Sequence, residues 1–437
     1  MPAWRHILLL TVVAMASVSC SGKPGAGPVR VEVVETSNGY QLLRGGEPYV
    51  VRGAGMGVDD IARFASHGGN SIRTWTTVYD YQDARSLLDQ AHEHGVTVVL
   101  GLPMRPERHG FDYDDTDAVA EQLEFLRREV LEYKDHPALL AWLIGNELNH
   151  SYTNPAVFDA VNDVAEMIRE LDPYHPVSTP LSGFKPEVIA TVMERAPALD
   201  FLSFQLYGSL FVLPERLSEL GYDKPFMVTE WGAIGYWEVE RTRWDAPIEL
   251  TSSKKADTFR RGHEEILAAL DGQLLGSYVF LWGQKQERTP TWFGMFTEAG
   301  EETEVVDVMH YLWTGAWPDN RTPRVDALRL DGKSATDSVT LEAGQAYSVS
   351  FEVTDPEAAA LRLTLSVKPE SDSIREGGDY EEPIADLDGW IGDARGGDAE
   401  LRALAPGKYR LFAYARDEHD HVAHANLPFL VVDPGGE

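Results

Sequence analysis

The sequence predicts an α/β chain in which a (β/α)8 TIM-type barrel at residues 49–317 is followed by an immunoglobulin-like β-sandwich at residues 321–437. Three observations lead there. Short β-branched runs alternate with segments of helical period eight times along the middle of the chain. The alternation occupies about 270 residues, the size such a barrel needs. After Pro318 the pattern changes abruptly to short strand-like runs separated by turn residues. An open, doubly wound sheet is the alternative topology for the same alternation.

The elements follow in chain order. Arg5 and His6 precede the apolar run from Ile7 to Ala16, and Ser17, Val18 and Ser19 lead to Cys20. Residues 1–20 therefore read as an export signal, with an apolar run too short to span a bilayer. Cys20 resembles the lipid-attachment Cys of bacterial lipoproteins, although Ser17 stands where that motif usually has Leu. Residues 21–28 (SGKPGAGP) have the composition of a flexible tether. Lipid on Cys20 would hold an exported protein at the cell envelope, and without it the protein would be secreted. Residues 29–48 form a predicted hairpin, Val29 to Val34 and Tyr40 to Leu43 alternating about the Asn38-Gly39 turn, expected at the barrel's bottom.

The eight barrel strands are expected at Tyr49 to Gly53, Asn70 to Trp75, Val96 to Leu102, Leu139 to Gly145, Pro176 to Thr179, Asp200 to Tyr207, Phe226 to Glu230 and Gly276 to Trp282. Helices are expected at Ala84 to His94, Asp117 to Tyr133, Ala156 to Leu171, Lys254 to Leu270 and Val305 to Thr314. Gly53, Gly55 and Gly57 read as a tight turn after the first strand. They miss the dinucleotide fingerprint, which needs its third Gly where Val58 stands. The sandwich carries a Gly-, Asp- and Glu-rich insert from Ser371 to Glu400, read as a long loop.

Composition excludes several classes. With 43% hydrophobic residues the chain is globular rather than disordered. Thirty-eight basic against 70 acidic residues leave a net charge of −32, which repels phosphate backbones and makes nucleic acid an unsuitable partner. One Cys permits no intrachain disulfide and no multi-Cys metal site. Asp112, Asp114 and Asp117 lack the Gly and Glu of a calcium loop, and His263-Glu264 lacks a second His, so no metal is expected. His419, His421 and His424 read as solvated residues of a turn and edge strand.

Active sites of such barrels lie at the C-terminal ends of the strands. Two expected strands end in a glutamate: Ala141-Trp142-Leu143-Ile144-Gly145-Asn146-Glu147, and Phe226-Met227-Val228-Thr229-Glu230-Trp231-Gly232. Two carboxyl groups facing one mouth are the minimal apparatus for cleaving a glycosidic bond, one protonating the leaving oxygen and one facing the developing positive charge. No cofactor is needed for that chemistry. Six Trp residues, Trp75, Trp231, Trp237, Trp244, Trp282 and Trp292, are expected near the mouth, where indole faces suit pyranose rings.

On the motifs Gly145-Asn146-Glu147 and Thr229-Glu230-Trp231-Gly232, residues 45–317 resemble the clan A glycoside hydrolases, and within them the family 2-type barrel. The resemblance implies that Glu147 is the acid/base and Glu230 the nucleophile of a retaining β-glycosidase. It implies that Asn146 holds the sugar 2-hydroxyl, that Arg73 keeps the nucleophile ionised, that Tyr207 donates to it and that Trp282 floors the reacting subsite. Trp75 and Trp231 complete the expected substrate contacts. The family 2 enzymes usually carry sandwiches before the barrel, whereas here the sandwich follows it. The expected substrate is a β-linked, mostly neutral oligosaccharide or polysaccharide. The rival readings are a cell-surface β-glucan transglycosylase with the same residues, and a non-catalytic polysaccharide-binding lipoprotein.

Overall fold

The computed structural model describes residues 27–435, apart from 58–59, 80–82, 271, 376 and 393–396. The expected signal, Cys20 and most of the tether lie outside the described residues. A three-stranded antiparallel sheet comes first, β1 (Val31–Thr36), β2 (Gly39–Arg44) and β3 (Glu47–Pro48). Its Val31 and Leu42 pack with Leu140, Leu143, Met227 and Tyr278 inside the barrel, so the hairpin seals one end of it.

The barrel is built from β4 (Gly53–Gly55), β5 (Ser71–Arg73), β6 (Thr97–Leu102), β7 (Leu139–Ile144), β8 (Val177–Ser178), β9 (Pro180–Ser182), β10 (Leu202–Gln205), β11 (Phe226–Gly232) and β12 (Leu274–Phe280). They hydrogen-bond in the order β8-β7-β6-β5-β4-β12-β11-β10-β9, every pair parallel. Only Thr179 separates β8 from β9. They are two halves of one strand, the first pairing with β7 and the second with β10, so the ring closes on eight strands. The open-sheet alternative is thereby excluded.

A helix follows each strand: α1 (Ile61–Ser66), α2 (Ala84–Glu93), α3 (Thr116–Tyr133), α4 (Ala156–Leu171), α5 (Pro186–Arg195), α6 (Leu213–Leu220), α7 (Ser252–Arg261) and α8 (Glu304–Thr314). Local chemistry explains where they start. Asp83 accepts from the Ser86 amide at 2.9 Å and Asp115 from Ala118 at 3.1 Å, which satisfies donors that the first helical turn leaves unpaired. β6 and β7 are buried along their whole length, as parallel strands covered on both faces must be.

Three expectations are corrected. Gly53 and Gly55 lie inside β4, not in the turn after it. A Cβ on Gly53 would meet the Tyr278 ring at 2.5 Å and one on Gly55 the Trp75 ring at 3.1 Å, so the missing side chains make room for these aromatics. The helix expected from Lys254 to Leu270 ends as an α-helix at Arg261 and continues as a wider turn over Gly262–Ile266 and a tighter one over Leu267–Leu270. Gly262, a weak helix former, is the point of change, and Leu210 and Trp231 press against it. His424 is 2% exposed rather than solvated, because the strand Val422–Val432 turns it towards the barrel.

Beyond α8 the chain forms two further sheets. β13 (Arg324–Leu330), β15 (Ala346–Thr354) and β17 (Asp398–Arg402) make one. β14 (Thr340–Glu342), β19 (Val422–Val432), β18 (Gly407–Arg416) and β16 (Arg362–Pro369) make the other. Leu330, Val349, Phe351 and Leu401 of the first share one apolar core with Val367, Leu411 and Phe429 of the second. Buried polar contacts join these sheets to the barrel. Asn426 donates to Glu249, whose carboxylate also takes Lys255 at 2.5 Å and Thr289 at 2.6 Å, and Arg410 donates to the Pro247 carbonyl at 2.8 Å. Among the described residues no helix is long and apolar enough to cross a membrane, and no cluster of three or more His, Cys, Asp or Glu could hold a metal ion.

Candidate active site

The mouth of the barrel encloses a cavity of about 640 Å³, lined by Glu147, Glu230, Asn146, Gln205, Tyr207 and Trp75 among others. Glu230 ends the inward face of β11 and is 5% exposed. Three donors converge on its carboxylate: Arg73 at 2.5 Å and Trp75 Nε1 at 2.8 Å on Oε1, and the Tyr207 hydroxyl at 2.7 Å on Oε2. Arg73, fully buried at the end of β5, also donates to Asn146 Oδ1 and stacks its guanidinium 4.6 Å over the Trp75 ring. Gln205 donates to the same Asn146 oxygen at 2.7 Å.

Glu147 reaches the cavity through a sharp turn after β7. Gly145 has φ 67° and Glu147 itself has φ 49°, a left-handed conformation that costs a residue with a Cβ about 1 kcal/mol. At Gly145 a Cβ would lie 2.7 Å from the Leu148 side chain, so only Gly fits. The Glu147 amide donates to the Pro180 carbonyl at 3.1 Å, tying the turn to the neighbouring strand.

The environments of the two carboxyl groups separate their protonation. Burial, and then the charge of Glu230, push Glu147 up to about 7, with Arg108 and a hydrogen bond from Ser182 opposing. Burial also leaves Glu230 raised, although the Arg73 charge, the Tyr207 hydrogen bond and Lys285 hold that rise back. A carboxylate that accepts three hydrogen bonds is the ionised member of such a pair, so a single shared proton resides on Glu147. Tyr207, driven well above its usual value by burial and by both carboxylates, stays a hydrogen-bond donor.

Arg73, Tyr207 and Trp75 therefore meet Glu230, and Asn146 meets Arg73 beside Glu147 in the same cavity, whereas two expected substrate contacts lie elsewhere. Trp231 is 1% exposed and packs against Phe259 of α7 with ring centroids 5.5 Å apart. Strand alternation explains this correction: with Glu230 inward, its neighbour must point outward to the helices. Trp282 is 3% exposed and lies among Phe64, Phe296 and Trp313 at 5.2 to 5.8 Å. Because β12 stops at Phe280, the turn carries Trp282 out between α1 and α8. Phe280 takes the place expected of it, lining the cavity edge-on to Trp75 at 5.8 Å. Of the other four indoles, Trp75 and half-exposed Trp237 line the cavity, Trp292 is buried with its Nε1 on the Ile234 carbonyl, and Trp244 lies away from the cavity with its carbonyl accepting from Lys408 at 3.2 Å.

Sequence reasoning also missed Gln205, Arg108, Lys285 and Glu287 at the cavity wall. Gln205 had a signal, a lone polar side chain at the inward end of an apolar strand. The others sit on loops, where no periodicity points to a face.

Residues 51–235 match the family described as glycosyl hydrolases family 2, TIM barrel domain. A provisionally named mannan endo-1,4-beta-mannosidase 4 of Arabidopsis thaliana is 22% identical over 278 residues, 49% of this chain and 66% of that protein. Among solved structures, the beta-D-glucuronidase of Dictyoglomus thermophilum is similar at a TM-score of 0.51 with 21% identity, over 67% of this chain and 54% of that one. Beta-glucuronidase 2 of Bacteroides uniformis is similar at 0.52 with 13% identity, over 92% of this chain and 48% of that one. At such identities the likeness to solved structures is one of fold, and the chain spans about half their length. Over residues 51–235, then, the chain is similar to the TIM-barrel domain of the family 2 glycosyl hydrolases.

Proposed function

We propose that this protein is a retaining O-glycosyl hydrolase that cleaves a β-linked, mostly neutral glycan by double displacement. The observation that carries the reading is the asymmetry of two carboxyl groups in one cavity, Glu230 held by three donors and Glu147 raised to about 7. In the first step Glu230 Oε2 or Oε1 attacks the anomeric carbon, the bond to the leaving oxygen breaks, and that oxygen takes the proton of Glu147. In the second step Glu147 takes a proton from water, whose oxygen displaces Glu230 from the same carbon. Two inversions give net retention.

Asn146 supports the same reading. Both of its hydrogen bonds end on Oδ1, which assigns the amide orientation and leaves Nδ2 as the donor for a sugar hydroxyl. We read the two C-terminal sheets as an immunoglobulin-like sandwich, on their shared core and the parallel pairing of β14 with the last strand. Export with lipid on Cys20 would place the barrel at the bacterial envelope. A Cys20→Ser variant recovered from the membrane fraction in wild-type amount would refute the anchor.

The decisive experiment is Glu230→Ala against a panel of aryl β-glycosides, with product stereochemistry followed by NMR. Hydrolysis should vanish, and azide should restore it with the inverted product. Wild-type rates from Glu230→Ala on every glycoside that the native protein cleaves would end the proposal.

A further inference from the structure

Glu238 is an exposed residue at the rim of the cavity, eight positions after Glu230 in the chain. It closes a tight turn after β11: its amide donates to the Gly235 carbonyl at 2.9 Å, and its Oε2 accepts from the Gly235 amide at 3.1 Å. Gly235 permits that turn, since a Cβ there would stand 2.4 Å from the Trp237 ring. The carboxylate is therefore held by its own segment before it reaches any other.

From this turn the carboxylate crosses to the loop after β10. Oε2 accepts from the Gly208 amide at 2.8 Å and Oε1 from the Ser209 amide at 2.9 Å. Those amides open the short helical turn Gly208–Val212, which supplies no acceptor for its own first donors. Gly208 leaves the room that is needed: a Cβ there would stand 2.9 Å from Glu238 Cδ.

Gly208 directly follows Tyr207, and rotation about the Tyr207 Cα–C bond aims the Gly208 N–H. A bond that holds this N–H therefore holds the Tyr207 ψ, −106°, and with it the direction in which the ring leaves the backbone. The ring meets Trp237 edge-on at 5.6 Å, and its hydroxyl donates to Glu230 Oε2 at 2.7 Å. One carboxylate thus ties the strand end that carries the donor to the strand end that carries its acceptor.

Resting on the hydrolase reading above, we propose that Glu238 is a positioning residue for the nucleophile: by clamping the Gly208 and Ser209 amides to the turn after β11, it sets the Tyr207 hydroxyl on Glu230. Glu238 and Tyr207 then act in series. Charge acting through space is the other route from Glu238 to Glu230, and the two routes have opposite signs. Loss of a donor raises the Glu230 pKa, whereas loss of a negative neighbour lowers it. Arg73 on β5, Glu147 after β7, and Lys285 and Glu287 after β12 also act on Glu230, and the variants alter none of them. Glu287 is itself held by the Gly378 amide, from the insert between β16 and β17, at 3.4 Å.

The test reads Glu230 directly, by 13C NMR titration of the full chain labelled at glutamate Cδ, its signal assigned by loss in Glu230→Gln. Glu238→Gln keeps the shape but turns an N–H towards at least one of the three amides. It should raise the Glu230 pKa by about 0.5–1 unit, part of the about 1–2 units that a whole hydrogen bond to a charge is worth. Gly208→Ala displaces the carboxylate without removing its charge and should act in the same direction. It carries the test by itself if Glu238→Gln does not fold. Added to Tyr207→Phe, neither change should raise Glu230 further. The acidic limb of kcat/KM on an aryl β-glycoside should follow each shift. A downward shift in Glu238→Gln, no shift in either variant, or full additivity with Tyr207→Phe overturns the positioning role and leaves the hydrolase reading standing. The expected titration shifts in a protein whose native form turns over no glycoside would overturn the hydrolase reading and leave the clamp on Tyr207 standing.

Discussion

Replacing Tyr207 by Phe isolates one of the three donors that hold Glu230. The hydroxyl donates to Oε2 at 2.7 Å, while Arg73 and Trp75 both serve Oε1. The variant therefore leaves Oε2 without its protein donor. The ring itself stays in place, since Trp237, Phe280 and Phe293 surround it at 5.2 to 5.9 Å. A hydrogen bond to a charged group contributes about 1.5–3 kcal/mol. At 1.36 kcal/mol per unit, its loss raises the Glu230 pKa by about 1–2 units. The sign follows directly. As the proposed nucleophile, Glu230 must be ionised, so activity should be lost as pH falls through this pKa, and the acidic limb of the kcat/KM profile should move up by about 1–2 units. The basic limb, set by Glu147 at about 7, should move little, so the bell narrows from its acidic side. The assay is a pH–rate profile on an aryl β-glycoside, with a thermal melt as the control for folding. An acidic limb that stays put while the rate drops equally at every pH would refute the argument that Tyr207 stabilises the charge on Glu230.

Three other outcomes are expected. Glu147→Gln should abolish the basic limb near pH 7 and should slow substrates with poor leaving groups far more than aryl glycosides with acidic phenols, as steady-state rates on a leaving-group series will show. Trp282→Ala should cost about 3–5 kcal/mol in denaturant unfolding, as for any buried Trp, and should spare KM, whereas Trp75→Ala should impair turnover through loss of a donor to Glu230. Glu249→Gln should cost about 3–5 kcal/mol by leaving Lys255 buried beside a neutral partner. Burial opposes ionisation of Glu249, but Lys255 and the hydrogen bonds from Lys255 and Thr289 outweigh it and hold the carboxyl down at about 2. Its contribution is therefore present above the usual value of 4.5 and is lost as pH falls from there towards 2, so the melting gap between wild type and variant should narrow over that window.

Much of the barrel was legible because its strands are short apolar runs and its helices amphipathic, patterns that report burial without reference to the rest of the chain. Ala156–Leu171 shows the point, a helix whose period places Phe158, Val161, Val164 and Ile168 on one buried face. Glu147 and Glu230 were legible for a related reason: each is a charged residue closing a strand too apolar to end at a rim by chance. The indoles were not. Trp75, Trp231 and Trp282 are alike in the sequence, and an aromatic ring is equally at home in a core or a cleft. Which one faces the cavity depends on where each strand stops and which way its last side chain points, as at Phe280 and Glu230.

The insert was read as a loop from its Gly and Asp content, and composition could say no more. Its destination depends on contacts with Arg108, Arg288 and Glu287, which lie 91 to 269 residues away in the chain. The sequence by itself determined the barrel, the all-β character of the C-terminal part and the two carboxylates, because each is written in neighbouring residues. Only the tertiary structure decided which aromatics meet the carboxylates, which carboxyl group keeps the proton and what stands across the mouth. Those follow from distances between elements remote in sequence, and no local pattern encodes them.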